Sequence, residues 1–401
     1  PSMPPASRVN PYILFSTFDS WQEVYLWWRG LIEGKSAPDE AIRDKARALT
    51  RDRVSLQDKI RAIYNFCAQE IRYVAVEYGD AGYEPHRAAE IFANKYGDCK
   101  DKAILLISML KAINIEAYPV LISTRGSLDL QADVPSLPFN HAIAAVRVGN
   151  EVVFMDPTAS TVPWKALPPD DQDREALVFF GDHYEILRTP VSSSSQNKLV
   201  TRMRLKIADD GSVTGERSVE ARGVYEHAQR YWLRYTMPSL IEEELKQKVR
   251  AIADNAELLG HQISGVEDLD EPIGFSYTFA APRFLTQAGD TYVMDQLGMT
   301  DTSGVFAQSR RYPVEESYLS QEEDVIDIEL PPGLAVKYLP KPVRIQTLWF
   351  DLESAYEVVS GRIVRFHLMN RLKERVLSVA EYPAFKKAVE DLAVETNQHV
   401  I

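Results

Sequence analysis

Residues 96–101, Tyr-Gly-Asp-Cys-Lys-Asp, place a cysteine where an irregular segment turns into an apolar helix. The helix is predicted because apolar residues recur after Cys99 at the i, i+3, i+4, i+7 spacing of a face that packs into a core. These residues are Ala103, Leu106, Ile107 and Leu110. Asp98 is a typical N-cap, and Asp101 complements the positive end of the helix. Cys99 therefore lies in the first turn, where backbone N–H groups and the helix dipole stabilise a negatively charged sulfur.

A cysteine at a helix start is more often a small buried hydrophobe than a reactive group, so Cys99 needs partners before it suggests chemistry. The second cysteine, Cys67, lies on the apolar face of a helix predicted to begin near Ser55. We expect Cys67 to be a buried, inert thiol. Two cysteines are also too few for a disulfide framework in a chain of 401 residues.

A β-hairpin farther along the chain predicts the partners of Cys99. Residues 139–156 alternate in polarity as two strands do, around the two-residue turn signal Gly149-Asn150. In the register set by that turn, Asp156 lies diagonally across from His141 on the same face, with Cα atoms about 7–8 Å apart. A shift of one residue would put the two side chains on opposite faces.

Cys99, His141 and Asp156 together form the pattern of a nucleophile, its base, and a carboxylate that fixes the tautomer of the base. Each is a weak signal on its own, since a strand histidine is more often a core residue and an aspartate before proline is typical of a turn. The combination predicts a cysteine-dependent acyl-transfer site. Redox sensing through Cys99 is a less favoured alternative, because no resolving cysteine is evident.

Length and composition indicate a globular protein with more than one domain. The chain has 401 residues, 45% of them hydrophobic and 26% charged, which is enough for two or three cores. A formal net charge of −13 argues against nucleic-acid binding, and no apolar run is long enough to predict a membrane span. The serine run Ser192–Ser195 predicts a linker, so we expect a first domain over residues 1–190 and a second over 191–401.

The second half is predicted to be rich in strands. Hairpins are expected around Asp209-Asp210-Gly211 and Ser360-Gly361, and a helix over residues 383–396 closes the chain. A helical region over residues 224–256 breaks near Pro238. The sequence of this half contains no metal-ligand spacing, phosphate-binding glycine loop or internal repeat.

Several segments resemble the transglutaminase-like superfamily, and more narrowly bacterial proteins in which such a core follows an N-terminal β-rich domain of unknown function. The resemblance covers about residues 16–190. It is carried by Ser20-Trp21, Ile71-Arg72-Tyr73, Tyr-Gly-Asp-Cys-Lys-Asp-Lys-Ala at 96–103, Ala-Tyr-Pro-Val-Leu at 117–121, Phe-Asn-His-Ala-Ile at 139–143 and Asp156-Pro157-Thr158. It implies an α+β fold: a papain-like core of helices packed on an antiparallel sheet, followed by a β-rich α+β accessory domain.

The resemblance implies that Cys99 is the nucleophile, His141 the base and Asp156 the orienting acid. In related enzymes the second oxyanion donor, beside the backbone N–H of the cysteine, is an aromatic side chain upstream. No tryptophan lies close before Cys99 in this sequence. Tyr73 is therefore the predicted donor and Tyr78 the alternative, although both tyrosines also suit a core position.

The predicted function is cysteine-dependent acyl transfer on peptide or Gln/Asn-type amide bonds, by hydrolysis as a peptidase or amidase. Two alternatives stay open: a protein-cross-linking transglutaminase, and a non-catalytic protein-binding module that retains the triad. No cofactor or metal is predicted. Calcium is the cofactor of some animal relatives, but Asp170-Asp171-Gln172-Asp173 lacks the glycine and ligand spacing of a calcium loop and is typical of a solvated face.

The expected partners are a peptide or protein substrate and, through the C-terminal domain, another protein. The resemblance also implies a periplasmic or extracytoplasmic location, because related bacterial chains commonly carry an export signal. A start at Pro1 rather than at a methionine is compatible with a processed or trimmed piece of a longer protein.

Overall fold

The computed structural model describes residues 2–75, 82–253, 255–294, 305–396 and 400–401. The chain divides into two compact units, Pro5–Val191 in one, and Ser192–Ile401 together with Pro1–Pro4 in the other. Both units combine helices and strands, so the predicted α+β class is confirmed. Within these described ranges, no helix is both long and apolar enough to cross a bilayer.

The first unit surrounds one antiparallel sheet with helices. The helices are α1 (Ala6–Val9), α2 (Trp21–Ile32), α3 (Glu40–Thr50), α4 (Leu56–Glu70), α5 (Ala88–Asn94) and α6 (Cys99–Lys111). The strands are β1 (Arg72–Tyr73), β2 (Tyr96–Gly97), β3 (Ala117–Ile122), β4 (His141–Val148), β5 (Glu151–Met155), β6 (Glu175–Phe180) and β7 (His183–Arg188). Among the described residues, β1 and β2 form a short parallel pair, and the other strands form a sheet in the order β5-β4-β3-β6-β7.

Side-chain caps explain where three of these helices begin. Ser20, Asp39 and Ser55 each accept a hydrogen bond from the backbone N–H three residues later, at the starts of α2, α3 and α4. Each cap satisfies a donor that has no partner inside the helix. The helix predicted to begin near Ser55 is therefore confirmed.

Helix α6 is the centre of the first unit. Every residue from Cys99 to Leu110 is buried, because α6 packs against α3, α4 and α5 and also against β3 and β4. The predicted core-facing residues, Ala103, Leu106, Ile107 and Leu110, are buried, and so is the rest of the helix up to Leu110, including Lys102. Its ammonium group donates to the main-chain oxygens of Ala68 and Ile71 at the end of α4, where the helix dipole favours a cation.

The hairpin of β4 and β5 has the predicted register. Val148 pairs with Glu151 at the turn, and the ladder continues to the pair of Ala144 and Met155. Strand β5 therefore ends one residue before Asp156. That position places the aspartate at the same end of the hairpin as the start of β4.

The second unit is built on a larger mixed sheet. Its elements, in chain order, are β8 (Lys198–Ile207), β9 (Val213–Ala221), α7 (Val224–Tyr235), α8 (Pro238–Arg250), β10 (Glu257–Ser264), β11 (Gly274–Ala281), β12 (Thr286–Ala288), β13 (Thr291–Val293), β14 (Val314–Glu315), β15 (Gln321–Glu329), β16 (Val343–Gln346), β17 (Phe350–Ser360), β18 (Ile363–Leu372), β19 (Val376–Leu377) and α9 (Tyr382–Thr396). In the described part, the sheet order is β10-β11-β9-β8-β15-β18-β17-β16. Strands β8 and β15 are parallel, with Lys198 opposite Gln321.

In the second unit, the elements predicted from turn residues, from proline and from helical periodicity are confirmed. The hairpins β8–β9 and β17–β18 form around the predicted turns, and Pro238 begins α8 after a break from α7. The closing helix α9 also forms. The strands that were not predicted are β10, β12, β13, β14 and β19 here and, in the first unit, β2, β6 and β7.

Candidate active site

Cys99 is the first residue of α6, and reciprocal hydrogen bonds hold the start of this helix. The Asp101 N–H donates to the Asp98 side chain at 3.2 Å, and the Asp98 N–H donates to the Asp101 side chain at 3.3 Å. This capping box satisfies two backbone donors at the helix start. Asp98 also forms a buried ion pair with Lys100. The predicted N-cap and first-turn positions are confirmed.

His141 and Asp156 meet at the end of the hairpin. His141 is the first residue of β4, and Asp156 directly follows β5. The Oδ2 atom of Asp156 lies 3.3 Å from Nε2 of His141. The Asp156 side chain is 4% exposed and that of His141 is 13% exposed, so solvent screens their interaction weakly.

The two groups hold each other in the charged form. Burial opposes a charge on His141, but the Asp156 carboxylate and a hydrogen-bond interaction with the Cys99 side chain raise the pKa of His141 well above its usual value. Burial also opposes a charge on Asp156, whereas His141 and Thr158 lower its pKa. Thr158 donates to Asp156 Oδ1 from its N–H at 2.8 Å and from its hydroxyl at 2.7 Å. An imidazolium beside a carboxylate is the favoured state of the pair.

His141 faces Asp156 through Nε2, and the Cys99 side chain is a further group that acts on its pKa. Cys99 is 7% exposed and lies in an apolar cluster with Trp21 and Trp28 of α2. The structure thus pairs two of the three predicted residues, His141 and Asp156, and the role of Cys99 as their nucleophile stays a prediction.

Tyr64 of α4, which sequence analysis did not single out, supports this arrangement. Its hydroxyl lies 2.9 Å from the main-chain oxygens of both Asp156 and Val162, to which it donates. Burial, followed by the charge of Asp156, raises the pKa of Tyr64 well above its usual value, so the hydroxyl stays neutral. Tyr64 therefore fixes the main chain at Asp156. No signal in the sequence distinguishes it from the other tyrosines.

Asp171 contradicts the prediction made for its segment. The run Asp170-Asp171-Gln172-Asp173 was predicted to be a solvated face, but Asp171 and Gln172 are buried, at 2% and 4% exposure. Both lie at the end of a 3-10 turn, Pro169–Asp171, that precedes β6. The prediction was wrong because the turn packs against the hairpin end, a contact that local composition does not encode.

The same carboxyl completes a group of potential metal ligands. His141, Asp156 and Asp171 each offer one ligand atom, and these atoms lie within 4.8 Å of one another. A divalent cation with nitrogen and oxygen ligands is the class that such a set suits. The same carboxylate of Asp156 would serve a bound cation and the imidazole of His141, so metal binding and the His141–Asp156 pair are competing uses of it.

Tyr73 lies on β1, beside the segment that leads to Cys99. Strand β1 pairs with β2, which places Tyr73 opposite Gly97, and the side chain of Tyr73 is half exposed. The main chain of Tyr73 is therefore close to the helix start, and its role as an oxyanion donor stays a prediction. Tyr78, the alternative donor, lies outside the described residues.

Cys67 has the environment predicted for it. It is fully buried on α4, and its sulfur lies 3.7 Å from the sulfur of Met109. Burial raises the pKa of its thiol to about 12. Both Cys67 and Cys99 are free thiols.

Comparisons with known families bear on both units. The family model of the transglutaminase-like superfamily matches residues 43–157, a stretch that contains Cys99, His141 and Asp156. A domain of unknown function with a solved structure, DUF3858, matches residues 292–401. No curated protein matches the chain.

Two solved structures are similar to the chain. A candidate protease from Parabacteroides distasonis ATCC 8503 superposes with a TM-score of 0.59 at 12% identity, over 96% of this chain and 59% of that protein. A candidate cysteine protease from Cytophaga hutchinsonii has 17% identity and a TM-score of 0.25, over 34% of this chain and 42% of the other. The chain spans 59% of the length of the Parabacteroides protein, and the likeness to it is one of fold.

Proposed function

We propose that this chain, which belongs to the transglutaminase-like superfamily through residues 43–157, is a cysteine-dependent acyl-transfer enzyme that hydrolyses peptide or Gln/Asn-type amide bonds. One observation carries the proposal. The imidazole of His141 is paired with Asp156 through Nε2 and also interacts with the side chain of Cys99. This arrangement supports the roles that we propose: Cys99 as nucleophile, His141 as base and Asp156 as orienting carboxylate.

In the proposed reaction, the Cys99 sulfur attacks the carbonyl carbon of the amide. A C–S bond forms, and the carbonyl π electrons move to oxygen. The imidazolium of His141 gives its proton to the amide nitrogen, the C–N bond breaks, and the amine leaves. The acyl group remains as a thioester on Cys99. Neutral His141 then takes a proton from water, whose oxygen attacks the thioester carbon; the carboxylic acid leaves and the thiol is restored.

The surrounding groups assist each step. Asp156 stabilises the imidazolium and fixes its orientation, and Thr158 holds the carboxylate through two hydrogen bonds. The backbone N–H of Cys99 lies at the positive end of α6, where it can donate to the negative oxygen that develops on the substrate. We propose Tyr73 as the second donor, because β1 brings it next to Gly97.

The acceptor of the acyl group distinguishes hydrolysis from cross-linking. Water as acceptor gives a peptidase or amidase, and an amine gives a transglutaminase. Hydrolysis agrees with the description of the Parabacteroides protein as a candidate protease. Cross-linking is the alternative, and it would be seen as incorporation of an added primary amine into a glutamine-containing peptide.

The direct test is capture of the acyl-enzyme. The protein is incubated with a library of peptides, quenched in acid and digested, and the mass of the Cys99 peptide is measured. We expect an acyl adduct on Cys99 that is absent in Cys99→Ala and persists in Cys67→Ser. Absence of an adduct and of turnover, with binding of a protein partner that Cys99→Ala leaves intact, would favour the non-catalytic alternative.

Iodoacetamide labelling provides a substrate-independent test. In the folded protein we expect alkylation of Cys99 alone, because the buried thiol of Cys67, with a pKa of about 12, stays neutral. Both cysteines should react in urea. Labelling that goes to Cys67, or that survives Cys99→Ala in the folded protein, would refute the proposal.

We also propose a periplasmic or extracytoplasmic location and a protein-binding role for the second unit. Both rest on the family resemblance of the first unit. Fractionation of the native host, followed by immunoblotting, tests the location, and detection in the cytoplasmic fraction alone would contradict it. Affinity purification of the full chain, in parallel with a variant that lacks residues 191–401, tests the binding role.

A further inference from the structure

A cavity of about 670 Å³ lies in the second unit, and the reaction proposed for Cys99 does not use it. Its volume is in the range of pockets that hold ligands, about 300–1,000 Å³. Apolar side chains of β17, β18 and α9 line much of its surface, among them Phe350, Leu352, Leu368, Phe385 and Val389. This surface would pack against an apolar group of a ligand.

The charged groups of the cavity have one sign. Glu316, Glu322 and Asp324 line it, and no lysine, arginine or histidine is among the described residues that do so. Glu322 and Asp324 lie two residues apart on β15, so their side chains lie on the same face of the sheet. Neither of these two forms an ion pair with a described residue. The cavity therefore combines apolar surface with negative charge.

On the opposite face of β15, two carboxylates have cationic partners. Glu323 lies 2.7 Å from Nζ of Lys198 and 3.2 Å from Nε2 of His367. Asp327 lies 2.6 Å from Nε of Arg365. A carboxylate beside apolar surface is costly to keep charged unless a cation pairs with it. A cation that entered the cavity would give its carboxylates the partner that those on the other face already have.

The surroundings of Asp324 agree with this reading. Asp324 is half-buried, whereas Glu322 is exposed. Burial raises the pKa of Asp324, and Arg217 and a hydrogen bond with Thr201 lower it less. The guanidinium of Arg217 donates to the hydroxyls of Tyr277 at 3.2 Å and Thr201 at 3.5 Å. The charge of Asp324 is thus less well stabilised than in water, and a bound cation would stabilise it.

Two tyrosines add an aromatic side to the cavity. Tyr225 of α7 and Tyr318 both line it, and their rings meet edge to face with centroids 6.1 Å apart. The Tyr225 hydroxyl donates to Oε1 of Glu322 at 2.6 Å, which holds this carboxylate beside the rings. Aromatic faces attract cations, as carboxylates do. The rings and the carboxylates therefore favour the same class of ligand.

We propose that this cavity binds a lysine or arginine side chain of a polypeptide partner, with the charged end at Glu322 and Asp324 and the apolar stem along β17, β18 and α9. The stems of these side chains cover apolar surface while their charged ends stay paired or hydrated. A small inorganic cation would leave the apolar lining uncovered, and an apolar peptide would leave the carboxylates without a partner. The inference rests on the protein-binding role proposed for the second unit, to which it gives a location and a chemistry.

The test measures the binding of short peptides to the full chain with the substitution Cys99→Ala, so that turnover does not contribute. The probes are fluorescein-labelled, amidated peptides of alanine with one central lysine, arginine or norleucine. Norleucine keeps the apolar stem of lysine and lacks its ammonium group. Fluorescence anisotropy gives the dissociation constant of each peptide. Unlabelled n-butylamine is the competitor that carries the same charge without a peptide.

Glu322→Gln and Asp324→Asn each remove one charge from the cavity, and glutamine keeps the acceptor for the Tyr225 hydroxyl. Glu323→Gln is the matched control, because it removes the same charge from the opposite face of the same strand. We expect the norleucine peptide to bind about tenfold more weakly than the lysine and arginine peptides. Each cavity variant should weaken binding of the lysine peptide by about three- to tenfold, and the control by less than about twofold.

If Asp324→Asn does not fold, Glu322→Gln, at an exposed position, and the norleucine peptide still decide. Absence of binding by the lysine and arginine peptides would overturn the inference. Equal affinities of the lysine and norleucine peptides, or equal effects of Glu322→Gln and Glu323→Gln, would do the same. If n-butylamine bound as tightly as the lysine peptide, the cavity would be a site for free amines and the polypeptide partner would be wrong.

Failure of the proposed function is recognised by other measurements. The protein-binding role fails if affinity purification recovers the same proteins with and without residues 191–401. Acyl transfer fails if no adduct forms on Cys99 in the parent chain. Peptide binding is measured in Cys99→Ala, so its outcome does not depend on acyl transfer.

Discussion

The side chain of Asp101 folds back over Gly97, so that a β-carbon at position 97 would lie 2.6 Å from the Asp101 β-carbon and 3.0 Å from its Oδ2. Such a contact is shorter than carbon atoms tolerate. Position 97 therefore requires glycine, because the Asp101 side chain occupies the volume that a β-carbon would need. Asp101 is also the N3 residue of the capping box of α6. Any side chain at position 97 would disturb the helix start that carries Cys99.

Gly97→Ala should destabilise the first unit by about 1–3 kcal/mol, the usual range for overpacking. It should also slow alkylation of Cys99, because Asp101 must move and the capping box is lost. Urea unfolding and iodoacetamide kinetics measure the two effects. Gly126→Ala is the matched control, because nothing lies within 4 Å of a β-carbon at that position. Equal behaviour of the two variants would contradict the packing argument.

Tyr64→Phe removes the buried hydroxyl that donates to the main-chain oxygens of Asp156 and Val162. We expect a loss of about 1–3 kcal/mol in the free energy of unfolding, because these oxygens lose their donor. Alkylation of Cys99 should also slow, since the main chain at Asp156 is less well fixed. Tyr12→Phe, at an exposed tyrosine, should change neither quantity. A Tyr64→Phe variant as stable as Tyr12→Phe would show that the bond is unimportant.

The His141–Asp156 pair predicts a pH window for stability. The pKa of His141 is raised, so its contribution is complete below the unfolded value of about 6.5 and is lost as the pH rises through the folded value. The pKa of Asp156 is lowered, so its contribution is complete above the unfolded value of about 3.9 and is lost as the pH falls through the folded value.

The free energy of unfolding of the parent should therefore exceed that of Asp156→Asn most between about pH 4 and pH 6.5. Urea titrations at several pH values measure this difference. Asp182→Asn, which removes an exposed carboxylate beside His183, should give a small and nearly flat difference, because solvent screens the pair. A difference that grew above pH 8 for Asp156→Asn would be incompatible with an imidazolium in the folded site.

Arg230 provides a test that concerns the second unit. Its guanidinium is fully buried and donates to the main-chain oxygens of Gly265, Val266 and Glu271 and to the side chain of Glu226. Arg230→Met should destabilise this unit by about 3–5 kcal/mol, because it leaves a partly buried carboxylate and several main-chain oxygens without their donors. Thermal unfolding followed by tryptophan fluorescence measures the loss.

The matched control is Arg202→Met, which removes an arginine from a half-exposed ion pair with Glu220. It should cost less than about 1 kcal/mol. Alkylation of Cys99 in the folded protein should be the same for both arginine variants. A slower reaction in Arg230→Met under folding conditions would mean that the second unit affects the site.

Features set by neighbouring residues could be predicted from the sequence. The start of α4 near Ser55 and the Asp98 cap of α6 were identified because a side-chain oxygen before an apolar run satisfies backbone donors nearby. The hairpin register followed from a two-residue turn. That register placed His141 and Asp156 at one end of the sheet, where the 3.3 Å contact is found.

Features set by distant residues could not be predicted. Strands β6 and β7 pair at the far edge of the sheet, beyond β3, and the turn that carries Asp171 is positioned by this pairing. A run of aspartates has the same polar composition in the core and at the surface, so its composition predicted that the segment is exposed to solvent. The complete burial of α6 was missed for the same reason, because helices and strands far apart in the sequence cover its polar face.

The parallel pairing of β8 with β15 has a consequence for synthesis on the ribosome. Strand β8 is central in its sheet, yet Lys198 pairs with Gln321, so the second neighbour of β8 is made only after all the elements from β9 to β14. A nascent chain that ends before Gln321 therefore presents an open strand edge on β8. Such an edge invites pairing with other chains. Chaperone capture of translating chains should thus be greatest before β15 emerges.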